Sequence, residues 1–322
     1  MLASMFFFVA FVTGCEPQKV EPAGEPLVIP AQSEPWQTPY GGGTRIKTAH
    51  YSIFTTSSDD LAQQVVPAFL EAARRNYLEL TALPEKQLSK SMPVYLLASR
   101  DQWLSLTKSI VGEQAAAPFM AIQNGGYCYN DVCVYWTMRG MSTLLVAAHE
   151  GMHQFLHHYL KDQLPIWMEE GLCTLAEGYQ IGEHSVVFTP DMNAARFADL
   201  QSAIARRLWL PMKDLLPMDS GGPDGPYTER RTAYYGQLWA LAHFLKNDPR
   251  YRAGFESLLA DAAQGNLHKA LKANPASMAN LRKMGRIYNK TVSIPLFKYY
   301  ISDDLEAFEK DFKQYAIKLA KM

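Results

Sequence analysis

Little in this 322-residue chain marks it as a binder of charged polymers, a membrane channel or a serine hydrolase. Its formal net charge is −1, so it lacks the basic surplus that a nucleic-acid partner requires. Beyond a short N-terminal stretch, no run is long and apolar enough to cross a bilayer. No Gly-x-Ser-x-Gly element occurs, which leaves a serine-nucleophile reading without footing. No internal repeat is visible, which excludes a solenoid. Cysteine is scarce, with four in all, too few for a disulfide scaffold. What remains is 48 % hydrophobic and 20 % charged, ordinary for a globular protein.

The N-terminus offers an address. Met5-Phe6-Phe7-Phe8-Val9-Ala10-Phe11-Val12 is too short for a permanent span and suits the apolar region of a signal peptide. No Lys or Arg precedes it. The small residues before Cys15 resemble a bacterial lipobox, in which cleavage leaves Cys15 as the lipid-bearing first residue. Residues 1–14 are therefore expected as a lipoprotein signal. The Pro-, Glu- and Gly-rich residues 15–44, ending in Gly41-Gly42-Gly43, are expected as a flexible tether. Cys128 and Cys133 flank Tyr129-Asn130-Asp131-Val132, a turn pair between β-formers. They are expected to face each other across a hairpin and, in an exported protein, to form a disulfide. Cys173 reads as a small buried hydrophobe.

The body of the chain reads as α+β. Residues 45–220 interleave strands and helices around a mixed sheet, and 221–322 are expected as a mainly helical C-terminal lobe. A strand is expected from Ile46 to Thr56, a helix from Leu61 to about Leu80 and a strand over Met92–Leu97. Two or three strands are expected between Ala117 and Tyr135, broken at Asn124-Gly125-Gly126. Later helices are expected near 192–207, 231–247, 250–263 and 302–320. Gly221 to Tyr227 reads as a loop.

The densest signal is His149-Glu150-Gly151-Met152-His153. It follows the Pro-free apolar run Ser142 to Ala148, with Ser142 as the expected cap of a helix that continues to about residue 160. Two histidines four apart share one helix face, about 6 Å between Cβ atoms, and both imidazoles can reach one Zn²⁺. The glutamate between them is placed to take a proton from water at the ion. Seventeen positions after His153, in Pro165-Ile166-Trp167-Met168-Glu169-Glu170-Gly171, Glu170 offers a third ligand on a helix that opens at Pro165. That set leaves the fourth zinc position open.

The constellation resembles the gluzincin zinc metallopeptidases, the superfamily of thermolysin and aminopeptidase N. Within it, it resembles a bacterial lipoprotein-like, peptidase-MA-like group. The Pro-x-Trp-x-x-Glu-Gly run, the helix Tyr235-Gly236-Gln237-Leu238-Trp239-Ala240-Leu241-Ala242-His243-Phe244-Leu245 and the early His50-Tyr51 carry that likeness over roughly residues 46–245. It implies a zincin-like catalytic lobe, with zinc held by His149, His153 and Glu170 and Glu150 as general base. It also favours Glu170 over Glu169, because Gly follows the ligand in the family pattern. Tyr235 is implied as oxyanion donor, with Tyr234 and His243 as rivals. The usual acid three or four residues after the ligand is missing: Cys173 and Thr174 stand there, and Glu177 is the remaining candidate to orient a histidine. His157 is expected as a surface histidine. The expected activity is a zinc-dependent metallopeptidase of the bacterial cell envelope, acting on a peptide or protein substrate. It would be held to the membrane by a lipid at Cys15, with no nucleic-acid partner. An inactive peptidase-fold binding lipoprotein and a zinc amidase of cell-wall peptides stay open as alternatives.

Overall fold

Peptide hydrogen bonds in two sheets set the frame. The computed structural model describes residues 24–123, 125–139, 141–220 and 228–322. The expected signal peptide, Cys15 and the Gly221–Tyr227 loop lie outside these residues, as does Asn124 of the expected strand break. The larger sheet runs in the order β2 (Gln32–Thr38), β3 (Gly41–Lys47), β4 (Tyr51–Thr55), β5 (Met92–Leu97), β7 (Val132–Trp136), β6 (Gly126–Tyr129). Its pairs β4/β5 and β5/β7 are parallel, and the remaining pairs are antiparallel. Parallel neighbours need crossovers. One carries α1 (Val66–Thr81), and the other carries α2 (Arg100–Val111) and the single turn α3 (Ala117–Met120). A small sheet joins β1 (Glu25–Pro26), β9 (Ser185–Phe188) and β8 (Tyr179–Ile181). The class is α+β with a mixed sheet, as expected.

The expected tether needs correction. From Glu25 onward it belongs to the fold, because β2 and β3 pair along seven residues and β3 continues onto β4. Glycine there marks close approach rather than slack. A Cβ on Gly43 would stand 2.7 Å from the Thr55 carbonyl oxygen and 2.9 Å from the Trp36 ring. The expected single strand over 46–56 is two strands joined by a tight turn at 48–50.

The histidine helix is α4 (Ser142–Tyr159). Leu144, Ala147, Ala148, Gly151, Met152, Phe155 and Tyr159 recur at helical spacing and are buried, while on the opposite face His149, Glu150 and His153 are half-buried and His157 is exposed. Ser142 is the first helical residue and does not cap it. Thr143 instead braces the entry, accepting from the Met138 N–H at 2.8 Å. Gln154 fixes the helix under the sheet by donating to the carbonyls of Pro93 and Asp131, at 2.8 and 2.7 Å. Tyr77 of α1 donates to the Ala148 carbonyl at 2.8 Å, in a space that only Gly151 leaves open.

Next comes α5 (Ile166–Ala176), entered through Pro165 and almost wholly buried. Trp167, Met168 and Leu172 each contribute roughly 1.5–3 kcal/mol by burial. The remaining helices are α6 (Ala194–Ala205), α7 (Met212–Leu215), α8 (Glu229–Asn247), α9 (Pro249–Gln264), α10 (Leu267–Ala270), α11 (Pro275–Arg282), α12 (Arg286–Tyr300) and α13 (Leu305–Leu319). One apolar core extends from Leu27 to Leu319, with α8 packed on α5 and α6. Asn289 of α12 accepts from the Ile166 N–H at 2.9 Å, so a C-terminal helix satisfies the start of α5. Among the described residues no helix is long and apolar enough to cross a membrane.

Candidate metal centre

α4 and α5 meet with their acidic and imidazole side chains facing. His149 Nε2 lies 3.4 Å from Glu170 Oε2, and His153 Nε2 lies 4.0 Å from the same oxygen. The two imidazole rings are 5.1 Å apart between centroids. Glu170 is 4 % exposed, and its Oε2 has no hydrogen-bond partner among the described residues. A buried carboxylate oxygen without a partner is costly, and a cation facing it removes the cost. Donors each 2.0–2.1 Å from one tetrahedral ion stand about 3.3–3.4 Å apart, so the Glu170–His149 spacing already fits zinc. The structure thus brings the Glu170 carboxylate within 3.4–4.0 Å of both imidazoles.

The other ring nitrogens are taken. His149 Nδ1 pairs with Glu177 Oε1 at 2.8 Å, and His153 Nδ1 pairs with Glu169 Oε1 at 2.7 Å. A carboxylate on Nδ1 keeps the proton there and frees Nε2 for a metal. Glu169 therefore braces His153 from its outer nitrogen, while Glu170 faces the Nε2 atoms of both rings. Glu177, at the end of α5, fills the place of the missing acid; Thr174 donates to the Gly171 carbonyl and does not reach a histidine. Behind Glu177 stands Arg196 of α6, with Nε at 2.7 Å and a second nitrogen at 2.8 Å, and Asn193 at 3.2 Å. Sequence reasoning missed Arg196, since nothing in the pattern around it points back across β8 and β9 to α5.

Electrostatics follow from this ring of carboxylates. Burial opposes charge on His149, but Glu170 and Glu177 outweigh it and bring the pKa up to about 10. Burial likewise opposes charge on His153, and Glu169 and Glu170 raise it to about 9. For Glu177, burial is outweighed by Arg196 and His149, and the carboxyl falls to about 2. Glu169 is held well below the usual carboxylate range against its burial by His153 and His157. The potential at the centre favours cations, and a metal ion would take the protons' place there. Glu150, between the ligands, is pushed up by burial.

The centre opens into a cleft of about 760 Å³ bounded by His149, Glu150, His153, Glu169, Glu170, Tyr235 and the edge strand β6. Of the three implied oxyanion donors, Tyr235 alone lines this cleft. Its ring is 6.4 Å from that of His149. Tyr234 is fully buried behind it, and His243 is tied to the Tyr315 hydroxyl at 2.5 Å, within the helical core. His157 is exposed, as expected, and it also has neighbours at the site. It lines the cleft, with Nε2 3.6 Å from Glu169 and Nδ1 3.9 Å from Cys128 Sγ.

Cys128 and Cys133 are register partners across a hairpin whose turn residues Asn130 and Asp131 both have positive φ, the form of a type I′ turn. They face each other as expected, and no disulfide bond joins them in the structure. Each has another neighbour: Cys133 Sγ donates to the Glu150 carbonyl at 3.1 Å, and Cys128 Sγ faces His157. Cys173 is buried as expected. Its Sγ nevertheless forms, with one ring nitrogen each of His149 and His153, a group of donors all within 4.8 Å of one another that could hold a metal. No family model matches the chain, and no curated protein is significantly similar to it.

Proposed function

We propose that this chain is a zinc-dependent hydrolase of peptide bonds with a zincin-like site, anchored to the bacterial cell envelope by a lipid at Cys15. The observation that carries the reading is Glu170 Oε2, buried and without a hydrogen bond among the described residues, facing the Nε2 atoms of two imidazoles whose Nδ1 atoms are already occupied. His149, His153 and Glu170 would hold the ion. When bound, zinc supplies Lewis acidity that polarises a carbonyl and lowers the pKa of water toward about 7. Glu150 takes the proton of the attacking water and returns it to the leaving amine nitrogen. Its burial suits that exchange, because a carboxyl with a raised pKa holds a proton between the two transfers. Tyr235 donates to the carbonyl oxygen as negative charge grows on it. The outer edge of β6, bordering the cleft through Gly126, Tyr127 and Cys128, offers unpaired peptide groups for an extended substrate.

Glu150→Gln tests the reading. The variant is expected to keep its zinc and to lose about 10²–10⁴-fold in cleavage of a mixed peptide pool. Equal rates from both proteins would refute the general-base role.

Cys173 favours a second reading. If its thiolate joins the two histidines and Glu170, four protein ligands close the site to water, as in a structural centre. A cobalt-substituted protein separates the two. A thiolate-to-cobalt charge-transfer band that Cys173→Ser abolishes supports the closed centre, and absence of the band supports the hydrolase.

A further inference from the structure

The lining of the cleft is mixed in chemistry. Pro118, Phe119, Ile122 and Tyr127 make an apolar wall beside the edge strand. The cleft is also lined by Tyr235 and Arg231 of α8 and by Arg286 of α12. Three guanidinium groups, these two and that of Arg196, have their charges committed differently. Arg196 is bound to Glu177 and Asp199, at 2.7 and 3.0 Å. Arg286 is 84 % exposed and faces Asp219 at 3.5 Å. Arg231 is half-buried, lies 5.7 Å from the centroid of the Tyr235 ring, and meets no carboxylate among the described residues.

A guanidinium is a planar fork of donors with no acceptor, and it matches a carboxylate in two parallel hydrogen bonds. Contact with an aromatic face limits its freedom, so less entropy is lost when an anion binds. Arg231 sits in the first turn of α8, whose cap Thr228 accepts from the Arg231 N–H at 3.2 Å, so its backbone is fixed as well. The same Tyr235 lies beside His149, which puts this cation one side chain away from the metal centre.

We propose that Arg231 is a specificity residue that binds a carboxylate of the substrate, so that preferred peptides carry a free C-terminal carboxylate or an acidic side chain on the α8 side of the scissile bond. This rests on the peptidase reading above. Both sources present the same group to the arginine, and the experiment separates them.

Three pools of short N-acetylated peptides share one mixed sequence without Asp or Glu. One ends in a free carboxylate, one in an amide, and one in an amide with a single Glu at varied positions. Zinc-loaded wild type and Arg231→Ala are compared by kcat/KM. Binding of the same pools is measured on zinc-loaded Glu150→Gln, with and without Arg231→Ala. Wild type should favour one carboxylate-bearing pool over the plain amide pool by about 10–100-fold. Arg231→Ala should lose about tenfold more on that pool than on the amide pool. The favoured pool names the source of the carboxylate. Arg231→Lys, which keeps charge without the fork, should fall between the two. Zinc content and circular dichroism report whether each variant is folded. A wild type without preference, or a preference unchanged in Arg231→Ala, overturns the proposal. If no pool is cleaved, the peptidase reading fails. The binding ratio on the Glu150→Gln proteins then decides the arginine inference by the same criterion.

Discussion

Replacing Glu177 by Gln keeps the volume of the side chain and removes its charge. In the native site that charge faces His149 Nδ1 at 2.8 Å and Arg196 at 2.7 Å, with its side chain fully shielded from solvent. Two effects follow, and they can be read separately. The amide no longer enforces a proton on His149 Nδ1, so the ring is less firmly set to offer Nε2. Loss of such an outer partner weakens metal binding by about 10–100-fold, or about 1.4–2.8 kcal/mol. Arg196 meanwhile keeps Asp199 at 3.0 Å but loses its buried partner. Breaking a buried pair costs up to about 3–5 kcal/mol, and the remaining carboxylate and the retained amide oxygen put the loss toward the lower end of that range. Zinc affinity is measured by competition with a chelator, and stability by urea unfolding in the same chelator without zinc. The reasoning fails if Glu177→Gln loses stability yet binds zinc within twofold of wild type. Glu177 would then be a structural partner of Arg196 and nothing more.

Gly151→Ala puts a Cβ 2.6 Å from the Tyr77 hydroxyl and should cost about 1–3 kcal/mol in urea unfolding; Tyr77→Phe in the same background should recover part of it, and no recovery would remove the steric cause. Glu177 titrates at about 2 in the fold against 4.5 as its ordinary value, so its contribution is present above 4.5 and fades as pH falls toward 2. That contribution is on the order of 3 kcal/mol, and Glu177→Gln should flatten the acid limb of zinc-free stability; an unchanged limb contradicts the pairing. His149 and His153 are raised from 6.5 to about 10 and 9, so what they add to zinc-free stability is full below 6.5 and is lost as pH rises through 9 to 10. Zinc has to displace those protons, so its apparent affinity should increase from pH 6 to 9 in chelator competition; a flat profile would speak against protonated imidazoles at the centre.

The meeting of His149, His153 and Glu170 was legible because helical spacing forces it. His149 and His153 four apart, and Glu170 just inside a helix opened by Pro165, need only the two helices to meet. What supports them was less visible. Glu169 and Glu170 are adjacent, and sequence cannot say which of two side chains about 100° apart around a helix faces the Nε2 atoms of both histidines and which faces the outer nitrogen of His153. Arg196 is 19 residues from Glu177, on a helix that reads as ordinary, and only the packing of α6 brings it there. The segment before Lys47 misled by composition: Pro, Gly and Glu suggest slack, yet the β2–β3 hairpin uses glycine where Thr55 and Trp36 come close. In the C-terminal part, Pro295 inside α12 hid a helix whose Asn289 holds the start of α5. Pairing in the Cys128–Cys133 hairpin was readable from its turn residues.

The central claim is that two imidazoles and the Glu170 carboxylate bind one zinc ion. Metal analysis of dialysed, zinc-reconstituted protein tests it most directly, with wild type measured beside His149→Ala, His153→Ala, Glu170→Ala and Cys173→Ser. Wild type and Cys173→Ser should each carry about one zinc per chain, and the other three variants should carry almost none. A wild type that retains no zinc, or a Glu170→Ala protein that keeps a full equivalent, would contradict it.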